Sequence, residues 1–235
     1  MKKILCIYLL SFIFSFANDF DTALGYYNSE NYSKAVPLLT FLCEDKASAK
    51  SCFLLGYMYE NAQGLSKNDD LAMSYYDKAC NAKLSNACFN LALLLDSKAD
   101  TKNSSLNFYK ACSLQHSNAC KTLATFYERK KDGELALEFH KRACDLDDAS
   151  SCLSMGLLYA NGDLVRQDKA QAQRAYTKAC DLKDAQACLV LADFYLNEKK
   201  DRTAAKRNFG ISCDLGLADA CKAYKDLLND TNLSR

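Results

Sequence analysis

A chain of 235 residues with 30 basic and 29 acidic side chains is close to neutral. That balance argues against a nucleic-acid partner, which needs a basic face, and gives no polybasic reason to sit on anionic lipid. Its 13 cysteines are accompanied by only two histidines, His116 and His140, and no C-x2-C or C-x4-C spacing occurs, which excludes an ordinary zinc site. No metal and no cofactor are expected.

The chain opens Met1-Lys2-Lys3, runs apolar from Ile4 to Phe16 and reaches a small-x-small step at Ser15-Phe16-Ala17. This predicts a signal peptide over 1–17, cleaved after Ala17. The apolar run is shorter than the roughly 20 residues of a membrane span, so no stable membrane insertion is expected after cleavage. Cys6 lies too early in that run for lipoprotein processing.

Residues 18–43 read as a first, degenerate helix pair, with Leu24-Gly25 in one helix and Tyr32 to Cys43 in the next. Pro37 falls in the opening turns of that second helix, where a missing N–H is tolerable. Ser51 to Asn61 then carries Leu54, Leu55 and Tyr59 at helical spacing around Gly56. A break at Gln63-Gly64-Leu65-Ser66-Lys67 follows. Asp69 to Cys80 forms the second helix of this pair, with Ala72, Tyr76 and Ala79 on one face.

Both faces recur. The second-helix face returns as Ser104-x3-Phe108-x2-Ala111, Ala136-x3-His140-x2-Ala143, Ala172-x3-Tyr176-x2-Ala179 and Ala205-x3-Phe209-x2-Ser212. The first-helix face returns as Leu91-Ala92-x2-Leu95, Leu123-Ala124-x2-Tyr127, Met155-Gly156-x2-Tyr159 and Leu191-Ala192-x2-Tyr195. Small residues in the first slot of the second helix let backbones approach, and the large residue four places on fills the space beside them. After Cys221 one helix is expected to about Leu228, with Asn229 to Arg235 as a polar tail. Residues 18–235 thus read as one repeat domain of about six helix pairs and a capping helix.

Six cysteine pairs keep step with the repeat: Cys43/Cys52, Cys80/Cys88, Cys112/Cys120, Cys144/Cys152, Cys180/Cys188 and Cys213/Cys221. All are C-x7-C except the first, C-x8-C. The first cysteine of each pair ends one unit's second helix, and the second lies in the first turn of the next unit. Export to an oxidising compartment makes them disulfides. Each would close a loop of about nine residues and restrict the unfolded chain by about 2.5–3 kcal/mol on the chain-entropy model. Redox catalysis would call for an exposed, low-pKa cysteine, usually in C-x-x-C.

The runs Ser51-x4-Gly56-x2-Tyr59 and Ala172-x3-Tyr176-x-Lys178-Ala179-Cys180-x7-Cys188 resemble Sel1-like repeats, relatives of the tetratricopeptide repeat. With a signal peptide and a cysteine pair in every unit, the chain resembles the Helicobacter cysteine-rich protein family over essentially all of residues 19–228. The resemblance implies an all-α, right-handed superhelical solenoid of Sel1-like helix pairs, each joint stapled by a disulfide. It also implies a secreted or periplasmic protein, either a penicillin-binding protein or weak β-lactamase or a binder of host or peptide partners.

In this repeat class the first helices line the concave surface. The residue after each small one and the residue three before it then point inward. Those are Tyr57 and Phe53, Leu93 and Phe89, Thr125 and Lys121, Leu157 and Leu153, Asp193 and Leu189. Asn86, Asn118 and Gln186 reach the same groove, where asparagines clamp the backbone of an extended peptide and Phe89 and Tyr57 supply apolar pockets. The alternative for Asn86 and Asn118 is that they cap the helices beginning there. The candidate ligand set is Tyr57, Asn86, Phe89, Asn118, Lys121, Thr125 and Asp193, for a peptide, protein or peptidoglycan-type ligand on a monomer.

A serine β-lactamase of the common kind needs S-x-x-K, S-D-N and K-T-G, and none occurs. The β-lactam reading therefore stands as the alternative, with no catalytic residue named. His140 holds a slot filled elsewhere by Tyr76, Phe108, Tyr176 and Phe209, and reads as a packed core residue. His116, in a disulfide loop, is expected to be exposed.

Overall fold

The structure, a computed structural model, describes residues 19–233, so the expected signal peptide over 1–17 lies outside the described residues. The chain divides into two compact units, one up to Leu114 and one from Gln115 onward. The first contains α1 (residues 19–28), α2 (Tyr32–Glu44), α3 (Ala49–Glu60), α4 (Asp69–Asn81), α5 (Ser85–Ser97) and α6 (Thr101–Ser113). The second contains α7 (Ser117–Arg129), α8 (Gly133–Asp145), α9 (Ala149–Asn161), α10 (Lys169–Asp181), α11 (Ala185–Asn197), α12 (Arg202–Asp214) and α13 (Ala218–Leu233). No strand occurs among the described residues.

Within each unit, neighbours in sequence are neighbours in space. In the first, α3 packs on α4 and α5 on α6, with α4 against α5; in the second, α7 packs on α8, α9 on α10 and α11 on α12. The interleaved small and large residues supply the contact. Ala72, Tyr76 and Ala79 are fully buried, as are Ala172 and Ala179. Gly56 sits flat against the Tyr76 ring, where a β-carbon would stand 2.7 Å from Cδ1; Gly156 sits against Tyr176 in the same way, at 2.5 Å. The units with Ala92, Ala124 and Ala192 in place of glycine carry Phe108, His140 and Phe209 in place of tyrosine. Burying one such large side chain stabilises by about 1.5–3 kcal/mol.

The joints share one construction. Helices end in a left-handed residue, as at Lys83, Asp147 and Lys183 (φ 65, 62 and 69°), and Gly216 takes that place before α13. The chain then turns back so that the amide two residues beyond the helical C-cap reaches a carbonyl inside the helix: Leu84 N to Ala79 O, Asp148 N to Ala143 O and Asp184 N to Ala179 O. This turn brings the half-cystines together. Cα–Cα distances are 4.8 Å for Cys43–Cys52, 4.7 Å for Cys80–Cys88 and Cys144–Cys152, and 4.6 Å for Cys180–Cys188 and Cys213–Cys221. Cys112 and Cys120 are also disulfide-bonded.

Four expectations are corrected here. Asn86 and Asn118 do not cap. The residue before α5 is Leu84, without a side-chain cap, while His116 caps α7 by accepting from Ala119 N at 3.2 Å, leaving both asparagines as second residues inside their helices. His116 is accordingly half-buried rather than exposed. Pro37 is the sixth residue of α2, beyond the four amides that any helix leaves free, so it forfeits a bond to the Ser33 carbonyl. The last helix runs to Leu233 rather than about Leu228.

The two longer inter-helix loops pack backward onto the preceding second helix, and they do so with exchanged sizes. In the first unit Gly64, at φ 67°, lies under Tyr32, the first residue of α2; a β-carbon there would stand 2.3 Å from the Tyr32 Cβ. In the second unit the equivalent loop position is Leu164 and the equivalent helix residue is Gly133, whose β-carbon would fall 2.1 Å from the Leu164 carbonyl oxygen. One partner is large and the other is glycine in both places.

Candidate functional site

The structure leaves a regular set of side chains accessible along the first helices. Tyr57 and Leu93 in the first unit, and Thr125, Leu157 and Asp193 in the second, are exposed. The residues four positions earlier, Phe53, Phe89, Lys121, Leu153 and Leu189, are half-buried in every repeat, and the small residue between is buried. Asn86, Asn118 and Gln186 are exposed. The spacing chosen from sequence therefore selects accessible side chains in both units.

Their surroundings differ. In the first unit, Tyr57 and Leu93 are 36% and 46% exposed. Phe53 rests on the Tyr76 ring at 5.6 Å and Phe89 on Phe108 at 5.7 Å. Two fixed aromatic rings thus lie beside two open apolar side chains. In the second unit the face is mixed: Leu157 is 40% exposed, between the polar positions Thr125 and Asp193. The Lys121 amine is taken up by Asp148 at 2.9 Å and Ser150 at 3.3 Å, and the Thr125 hydroxyl donates to the Lys121 carbonyl. Partial enclosure pushes the Asp193 carboxyl above its usual range.

Beneath these faces lie polar pairs that the sequence reading did not identify. The buried Tyr76 hydroxyl donates to Glu60 Oε2 at 2.6 Å and accepts from Asn90 Nδ2 at 3.3 Å. Burial, reinforced by Glu60, pushes this phenol far above its ordinary pKa. In the second unit His140 occupies the tyrosine slot at 2% exposure, with Nε2 3.1 Å from Glu128 Oε1. Burial pushes the imidazole down against the opposing pull of Glu128, so the ring is neutral and donates from Nε2 while buried Nδ1 has no partner. Asp148 caps α9 through Ser151 N at 2.7 Å. Burial pushes its carboxyl up, but hydrogen bonds from Ser150, Lys121 and Ser151 outweigh that and hold it at about 2. The signal for these pairs was present: Glu60 and Glu128 each stand four residues after the small residue, in units whose second helix brings a polar ring.

His140 is the packed residue the sequence suggested. With its ring closed off and one nitrogen committed to Glu128, the pair is a structural hydrogen bond. Among the described residues there is no cluster of three or more potential metal ligands, and no helix is long and apolar enough to cross a membrane.

Comparison with known proteins follows the same lines. A model of the Sel1 repeat matches residues 49–84, 125–148, 149–184 and 185–217, more than half of the chain. The solved Sel1 repeat protein from Oxalobacter formigenes is 24% identical with a TM-score of 0.71, covering 86% of this chain and 87% of its own. Helicobacter pylori cysteine rich protein B is 30% identical across 53% of this chain and 94% of its own, with a TM-score of 0.39. A curated relative, the cytochrome c oxidase assembly factor 7 homolog of Drosophila melanogaster, is 34% identical over 73 residues, 30% of this chain; the chain spans 27% of that relative's length. Repeats matched over more than half the chain place this chain in the Sel1 repeat family, with paired half-cystines at the joints between its repeats.

Proposed function

We propose that the chain is an exported binding scaffold, and that the first-helix face of α3 and α5 docks an extended apolar segment of a peptide or protein. The observation that carries this reading is the pair Tyr57 and Leu93, large apolar side chains left open at equivalent positions of consecutive repeats. Each lies one turn from a ring already fixed by packing, Phe53 or Phe89. Docking there buries apolar area without having to order the rings first, which lowers the entropic cost of binding. An extended ligand whose alternate side chains face the helices would use Tyr57 and Leu93 as anchors and exposed Asn86 as a backbone clamp. In the second unit, Asn118, Lys121, Thr125 and Asp193 would supply polar contacts of the same register.

The disulfides call for an oxidising compartment, periplasmic or extracellular, and the reading of 1–17 as a signal peptide fits that requirement. The β-lactam alternative rests on family resemblance, and the closed His140–Glu128 pair gives it no support.

The test is a selection of random decapeptides on the immobilised, oxidised chain. Recovered peptides are then measured by fluorescence anisotropy against Tyr57→Ser/Leu93→Ser and against Leu106→Ser/Tyr109→Ser, which changes two exposed α6 residues. The first variant should weaken binding at least tenfold, because central aromatic and aliphatic anchors carry most of such an interface. The second should leave it unchanged. Peptides indifferent to the first variant, or a selection yielding none, would overturn the proposal.

A further inference from the structure

The second unit contains a cleft of about 350 Å³ lined by Glu128 of α7, by Ser154, Leu157 and Leu158 of α9, and by Asn161, Asp163 and Leu164. From its geometry we infer a binding site for a single arginine side chain of a peptide ligand, held by Glu128 and Asp163 and flanked by an apolar neighbour. The site is separate from the α3 and α5 face and does not depend on it.

Charge is the first argument. Two carboxylates and no cation line the cleft. The group that touches Glu128, His140, is a buried neutral ring, so it hydrogen-bonds to Oε1 without cancelling the charge. Of the two cations on the same helix, Lys121 is committed to Asp148, and Arg129, in the last turn, is not among the residues lining the cleft. Glu128 keeps 32% of its side-chain surface open.

Shape is the second. Three leucines supply walls along which an aliphatic stem can lie while its charged head reaches the carboxylates. A planar guanidinium with five donors can bridge two acids and also reach Ser154 and Asn161, which a compact ammonium does less well. The volume lies in the range of small-ligand pockets.

The third is that the cleft is built by residues particular to this unit. Gly133 lets the Leu164 backbone settle on α8. Gly162 turns the chain at φ 77°, and Gln167 Nε2 to Ala160 O at 2.7 Å and Asp168 N to Tyr159 O at 2.9 Å pin the loop. In the first unit the positions matching Leu164, Asp163 and Glu128 are Gly64, Gln63 and Tyr27, and the Tyr27 hydroxyl donates to Gln63 Oε1 at 2.6 Å; both the leucine wall and the acids are missing there, so the cleft is not a general consequence of the repeat.

The experiment is a titration of the isotopically labelled, oxidised chain with N-acetyl-arginyl-leucine amide at pH 7, followed through backbone amide shifts. The citrulline analogue, equal in shape and uncharged, is the control. Expected are saturable shifts confined to residues around 128 and 154–164, at least fivefold weaker for the citrulline compound. Glu128→Gln and Asp163→Asn should each reproduce most of that loss, and Asp163, being exposed, tests the idea even if the first variant folds poorly. Tyr57→Ser should change nothing. Equal binding of the citrulline compound, shifts located only elsewhere, or no saturation by about 20 mM would each overturn the assignment.

Discussion

Replacing Gly133 by alanine separates packing from propensity, because the two predict opposite signs. At the first residue of α8, propensity alone favours alanine over glycine by up to about 1 kcal/mol. The structure places the new β-carbon 2.1 Å from the Leu164 carbonyl oxygen, 2.5 Å from its carbon and 2.7 Å from its Cβ. Relief requires the loop to move by about 1 Å, and the obstacle is backbone. That loop is held by Gly162 N to Leu158 O, Asp168 N to Tyr159 O and the Gln167 side chain. Overpacking against a fixed neighbour costs about 1–3 kcal/mol, so Gly133→Ala should destabilise by about 1–2 kcal/mol net. Gly210 in α12 is the control: its added carbon meets only the Tyr224 ring edge at 3.4 Å, so Gly210→Ala should stabilise by about 0.5–1 kcal/mol. Urea unfolding of both oxidised variants, followed by far-ultraviolet circular dichroism, reads the two signs. A Gly133→Ala variant as stable as Gly210→Ala would refute the claim that glycine is needed to seat the loop.

His140→Phe, which installs the residue found at 108 and 209, should flatten the pH dependence of stability. A buried imidazole with a depressed pKa stays neutral in the fold while the unfolded chain takes up a proton. The native protein therefore loses stability as pH falls from about 6.5 toward the folded pKa, in a setting that includes Glu128, Asp148 and Lys121. The Asp148 contribution, with its carboxyl at about 2, is lost only below about pH 4 and should persist in the variant; thermal midpoints measured from pH 7.5 to 5 decide. Tyr76→Phe keeps the ring against Gly56 but leaves Glu60 and Asn90 without the hydroxyl that joins them. It should cost about 1–2 kcal/mol in the same urea assay, and an unchanged midpoint would show that the two partners are fully satisfied by water.

The helix pairs were legible because their signal is repeated: Ala172-x3-Tyr176-x2-Ala179 or Leu191-Ala192 is weak alone, but a fixed phase with the cysteines locates each helix to within a few residues. The accessible positions followed from that phase and from nothing else. What was illegible depends on contacts between repeats. Capping stayed open as the alternative for Asn86 and Asn118 because asparagine caps well in general, but the joint places its turn two residues earlier, and Leu84 and His116 occupy the cap position. The Gly133–Leu164 and Tyr32–Gly64 exchanges require knowing that a loop reaches back over the preceding helix. The cleft at Glu128 depends on that exchange, so no motif could announce it.

The division of labour within each repeat explains why recognition can vary along so regular a frame. At the buried slots the choice is narrow: Gly56, Ala92, Ala124, Gly156 and Ala192, each dictated by the ring opposite. One residue later the chain reads Tyr57, Leu93, Thr125, Leu157 and Asp193, which share exposure but range from aromatic and aliphatic to hydroxyl and carboxylate. A repeat contacts only its neighbours and has no large core on which to draw, so in most such frames an outward residue also shares in holding the stack. Here each described joint carries a disulfide whose restriction of the unfolded chain is worth about 2.5 kcal/mol or more. That is comparable to one buried aromatic side chain per repeat. With the joints held covalently, the residue after the small one is released from packing, and its identity can be set by what it must touch.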